Sequence, residues 1–136
     1  MLDINKKIEI IGSQEQIFNA DGYAAVVGFT GKINGWFVLN MGTEVEWKVA
    51  ERVNRESYEN KDDPFIDYSV QELANIICGN GVTRVNNTER NLKMRITPPG
   101  LFRCAATSML VYNQDVYQGI MKTELGDVYI SVIFEY

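Results

Sequence analysis

Two stretches of the chain place apolar residues at helical spacing, and several others alternate them at strand spacing. In the first, Val45, Val49 and Val53 recur every four residues with Ala50 beside them, which predicts a helix from about Glu44 to Glu56 with a buried stripe. Thr43-Glu-Val-Glu46 ahead of it has the form of a capping box, in which a hydroxyl and a carboxylate each satisfy a free backbone N–H. Lys48, Arg52 and Arg55 lie off the stripe and read as a solvated face. In the second stretch, Ile66, Val70, Leu73, Ala74 and Ile77 fall within roughly 80° of arc at 100° per residue. That helix begins near Phe65 to Asp67, after the charged loop Ser57–Pro64, with Asp67 or Ser69 as its cap. Asn80-Gly81 offers a stop signal, but Val82 and Val85 still reach the apolar side and carry the helix to about Asn86.

Strand patterns occupy the rest. Lys7–Ile11 reads as a short strand and Gly12–Gly22 as a connection. Tyr23–Thr30 and Gly35–Met41 form a hairpin across a turn in which Asn34-Gly35 is the strongest signal. Leu92–Thr97 alternates, facing the core through Leu92, Met94 and Ile96, and stops at Pro98-Pro99-Gly100. Cys104–Tyr112, Val116–Thr123 and Val128–Phe134 follow and read as an antiparallel meander, with Gly126-Asp127 as the last turn. The hairpins Tyr23–Met41 and Met109–Thr123 suggest a faint internal repeat. Strands, two helices, then strands predict one α+β domain over residues 1–136, an antiparallel sheet with both main helices on one face.

Composition narrows the functions available. A net charge of −5 argues against a general nucleic-acid binder. No apolar run is long enough to span a bilayer, and Met1–Lys7 lacks the hydrophobic core of a signal peptide, so the expected location is the cytoplasm. Cys78 and Cys104 read as small core residues. There is no histidine, which removes His-based triads and most zinc sites. Asp62-Asp63 lacks the ligand spacing of a calcium loop, and no phosphate-binding glycine loop or dinucleotide fingerprint is present. An enzyme built from this chain must work with carboxylates and carboxamides.

Such groups meet on the far side of the second helix. Tyr68, Glu72, Asn75 and Gly79 also share roughly 80° of arc, and Glu72 and Asn75, three apart, are surface neighbours. The ordinary reading is a pair of solvated polar residues, or, for Glu72, the carboxylate of a capping box begun at Ser69. Against it stands the sacrifice of helix propensity at Asn75 and Gly79 on one stripe. A glycine there lets a partner come close.

Glu72-Leu-Ala-Asn75-Ile-Ile-Cys-Gly79-Asn80 resembles the E-x-x-N…G-N signature of the CheC/CheX family, bacterial phosphatases of chemotaxis response regulators. The order of a Gly35-Trp-Phe-Val-Leu-Asn strand, a helix, an acidic loop, the E-x-x-N helix and a strand ending in Thr97-Pro98-Pro99 is similar to the family's as well. The resemblance implies a phosphatase whose partner is a phosphorylated CheY-like receiver domain. Asn75 would hold the attacking water and Glu72 would pair with a lysine of the receiver, with Tyr68 and Gly79 in the partner-binding face. It implies no cofactor or metal on this chain, with Mg2+ held by the phosphorylated partner. A single motif places the chain nearer CheX than CheC and implies a homodimer. Family members commonly carry a helix before the first strand, whereas Met1–Gly22 shows no helical pattern. A non-catalytic interaction module of the chemotaxis or flagellar-switch type is the alternative.

Overall fold

The computed structural model describes residues 8–15, 17–89, 91–110 and 114–135, with side chains over 22–89, 91–103 and 115–135. Its order is β1 (Ile8–Glu15), β2 (Ile17–Thr30), β3 (Asn34–Met41), α1 (Thr43–Asn54), α2 (Pro64–Thr88), β4 (Arg95–Ile96), β5 (Gly100–Leu110), β6 (Gln114–Thr123) and β7 (Gly126–Glu135). The strands form one antiparallel sheet in the order β1-β6-β7-β3-β2-β4, with β5 also paired to β2. Both helices pack on one face, as the order of elements predicts.

The β2–β3 hairpin keeps an unbroken register from Tyr23↔Met41 to Phe29↔Gly35. Its alternating residues Ala25, Val27, Phe37, Leu39 and Met41 point to the helices and pack with Val49 of α1 and Val70, Leu73, Ala74 and Cys78 of α2. β7 lies against the other side of β3, from Asn34↔Glu135 to Asn40↔Tyr129. The site helix therefore rests on the centre of the sheet.

Gly12–Gly22 is not a connection. β1 and β2 run through it, paired to β6 and β5 respectively. Gly22, which looks like the end of a loop, sits inside β2 at a register shift between Ala20 and Gly22. There it adopts φ +86°, and a Cβ would lie 2.5 Å from the Met41 carbonyl, so the glycine serves a bulge and not a turn.

The C-terminal meander is half right. β6 and β7 form a hairpin over the Gly126 turn, but β5 pairs with β2 on the far side of the sheet. Met109–Thr123 is therefore not a hairpin, since β5 pairs with β2 and β6 with β1 and β7. β4 and β5 are two pieces along one edge of β2, Phe29↔Ile96 and Val26↔Gly100, separated by prolines that lack the N–H a ladder needs. Thr97 bridges the gap by donating its N–H to the Gly28 carbonyl at 2.8 Å and accepting the Gly28 N–H at 2.9 Å. Asn86 ties the end of α2 to this edge through two 2.9 Å hydrogen bonds with the Met94 backbone.

Candidate functional site

α2 starts earlier than its apolar stripe suggests. Asp63 is the N-cap, its carboxylate accepting the Phe65 N–H at 3.0 Å, and Pro64 occupies the first turn, where a missing N–H costs nothing. Neither Asp67 nor Ser69 caps the helix, so Glu72 has no capping role. Ile66, Val70 and Ala74 are fully buried and Leu73 and Cys78 nearly so. Burying that stripe fixes the rotation of the helix and turns the opposite face outward.

Tyr68 is 63% exposed, Glu72 is exposed and Asn75 is half-buried. Among the described residues, neither Glu72 nor Asn75 makes a side-chain hydrogen bond or ion pair within the chain. Gly79 lies at the edge of the same face, where an added Cβ would meet Ile96 Cδ1 at 3.5 Å. That is ordinary contact, so packing within the chain does not demand a glycine. The helix continues through Gly79 and Gly81 to Thr88.

Two features of this region are not apparent from the pattern. Phe65, read as an apolar residue of the helix start, is 65% exposed and stacks edge-on against Tyr68 with centroids 6.5 Å apart. The same three-and-four spacing, extended back from Tyr68, finds it. The rings stand over an open cleft of about 510 Å³ between the end of α1 and the first half of α2, which Glu72 also lines.

The second is Glu46. The N-cap of α1 is Gly42 with no side-chain hydrogen bond, and Thr43 is already helical, so the capping box is absent. Glu46 instead points inward, 1% exposed, beside Asp67 of α2. Its Oε2 lacks a partner. Burial first, then the neighbouring Asp67 carboxylate, push its carboxyl up to about 8, against a pull from Arg103. Arg103 also lies over the Tyr23 ring at 5.1 Å, and burial raises that phenol. Cys78 is buried, and burial pushes its thiol up to about 11. The side chain of Cys104 lies outside the described residues.

Lys48, Arg52 and Arg55 are exposed, Arg52 pairing with Glu124 of the β6–β7 turn. Among the described residues, no group of three or more acidic or cysteine side chains could hold a metal ion. Among the described residues, no helix is long and apolar enough to cross a membrane.

A sheet carrying two helices on one face, with an outward Glu-x-x-Asn on the second, defines a CheC/CheX-like domain. Residues 23–119 match the model of the chemotaxis phosphatase CheX family, and the chain belongs to that family. Its fold is similar to a chemotaxis protein CheX from Desulfovibrio desulfuricans, at 18% identity and TM-score 0.73, over 97% of this chain and 88% of that one. It is equally similar to the CheX of a CheX–CheY–BeF3–Mg2+ complex from Borrelia burgdorferi, at 20% identity and TM-score 0.73, over 100% of this chain and 88% of that one. A CheC-like protein from Shewanella oneidensis gives TM-score 0.74 at 14% identity, over 96% and 82% of the two chains. No curated protein sequence matches.

Proposed function

We propose that this chain hydrolyses the aspartyl phosphate of a CheY-like response regulator by placing a water in line with the phosphorus–oxygen bond. Asn75 holds that water. Its carboxamide both donates and accepts hydrogen bonds and carries no charge, so it orients the nucleophile without repelling the phosphoryl oxygens, as a carboxylate would. Glu72 pairs with a lysine of the receiver and sets the register of docking. Tyr68 adds contact area, and Gly79 admits the partner backbone. The receiver contributes the acyl phosphate and its own Mg2+, which offsets phosphoryl charge. The chain's part is positioning, which in phosphoryl transfer accounts for much of the rate.

The observation that carries this reading is the pair Glu72 and Asn75, exposed and half-buried, one turn apart on a helix whose other face is locked into the core, neither side chain making a hydrogen bond or ion pair among the described residues. Membership of the CheX family and the CheY complex of the Borrelia relative support it. The test is phosphate release from phosphorylated receivers, with and without the chain. Asn75→Ala is expected to lower the stimulated rate about 100-fold or more, the usual cost of removing a positioned polar group, while the circular dichroism spectrum and melting point hold. Faster dephosphorylation that ignores Asn75→Ala would reject the assignment. Tight binding without any acceleration would favour an interaction module.

A further inference from the structure

We propose that the cleft between α1 and α2 is a second anchor for the partner and takes a basic side chain, lysine or arginine, from the docked receiver. The proposal rests on the function proposed above and extends the contact surface toward the end of α1, to Glu56 and Phe65, with Tyr68 and Glu72 shared between the two regions.

The cleft is lined by Glu56 and Tyr58 on one side and by Phe65, Tyr68, Ser69 and Glu72 on the other. Among the described residues it is lined by two carboxylates and no cation, beneath two aromatic rings that are each more than 60% exposed. Large exposed rings side by side are unusual without a function, and aromatic faces next to carboxylates suit a cation with a long aliphatic stem. The stem covers the rings, the charge is drawn to the π faces, and the carboxylates complete its hydrogen bonds.

The floor is already built. Asn54 Nδ2 donates to the Tyr58 hydroxyl at 2.7 Å and to Ser69 Oγ at 2.5 Å. The Ser69 hydroxyl donates to the Phe65 carbonyl at 2.6 Å, and the Tyr58 N–H donates to the Glu51 carboxylate at 2.9 Å. The Asn54–Ser69 bond ties α1 to α2 and the others fix the Tyr58 and Ser69 side of the floor, so little ordering remains to be done on binding. Glu72 belongs to both regions. A receiver engaged by Glu72 and Asn75 thus has its neighbouring surface over the cleft.

The experiment measures the affinity of BeF3-activated, Mg2+-loaded CheY-like receivers from the source organism for the full chain, at low and high salt. Phe65→Ala/Tyr68→Ala removes exposed groups and should leave the melting point in place. It is expected to weaken binding about tenfold or more. Glu56→Gln is expected to weaken binding at low salt and to flatten its salt dependence. Asn75→Ala serves as the control and should keep its affinity while losing hydrolysis. Affinity unchanged in Phe65→Ala/Tyr68→Ala, with Asn75→Ala inactive, overturns the anchor and leaves the proposed function standing. Loss of affinity in the aromatic variant with no response to Glu56→Gln also overturns it, because the occupant is then not basic. Failure of the intact chain to bind any activated receiver overturns both.

Discussion

Replacing Glu46 by Gln removes one titrating proton from the interface of the two helices while keeping the size of the side chain and a group able to donate a hydrogen bond. The carboxyl is 1% exposed and ionises at about 8, against an ordinary 4.5. The folded state therefore keeps this proton at pH values where the unfolded chain has released it. Between those limits the native state binds more protons, so stability falls as pH rises. The contribution is complete below about 4.5 and has been lost once the pH passes about 8. At ~1.4 kcal/mol per pH unit the interval amounts to about 5 kcal/mol, an upper value because structural relaxation and water entry reduce the effect. Urea unfolding at pH 5 and pH 8.5 measures it. The wild type is expected to lose several kcal/mol between the two, and Glu46→Gln clearly less. At pH 5 the two should be nearly equal, and at pH 8.5 the variant should be the more stable. Equal pH slopes in both proteins would refute the proton held on buried Glu46.

Gly79→Ala separates fold from docking. Alanine gains up to about 1 kcal/mol of helix propensity, and its Cβ enters ordinary contact with Ile96, so the melting point should hold or rise. Affinity for an activated receiver should fall, because the partner's closest approach is filled. Cys78 should resist iodoacetamide in the folded protein at pH 8, with its thiolate suppressed up to about pH 11, and should react once urea unfolds the chain. Mass-spectrometric mapping of the Cys78 peptide would show both.

Much of the candidate site was legible because a helix encodes its faces locally. The spacing of Ile66, Val70, Leu73 and Ala74 alone fixes which residues point away from the core, and on that face Tyr68 and Glu72 are exposed and Asn75 is half-buried. Capping was less legible, since Thr-x-x-Glu describes either a box or a carboxyl pulled inward. At Glu46 the tertiary neighbour Asp67 decides between them. Asp63-Pro64 is the better start signal for α2, a carboxylate that accepts the Phe65 N–H followed by a proline in the first turn, where no N–H is needed.

The sheet shows the other limit. Gly12–Gly22 is rich in residues that favour turns, and only pairing with β6 and β5, about a hundred residues away in the chain, makes it strand. The same non-local choice sends β5 to the edge of β2 and not into the expected meander. Phe65 enters the sequence reading only as part of the helix start, and its place three residues before Tyr68 on the arc is what pairs the two rings.

The central claim is that Asn75 aims the water while the rest of the face only docks. Its most direct measurement is single-turnover phosphate release from a phosphorylated receiver held saturated with Asn75→Ala, alongside the affinity of the same variant for the BeF3-activated receiver. The account predicts unchanged affinity and a rate near that of the receiver alone. A rate equal to that of the unsubstituted chain would contradict it.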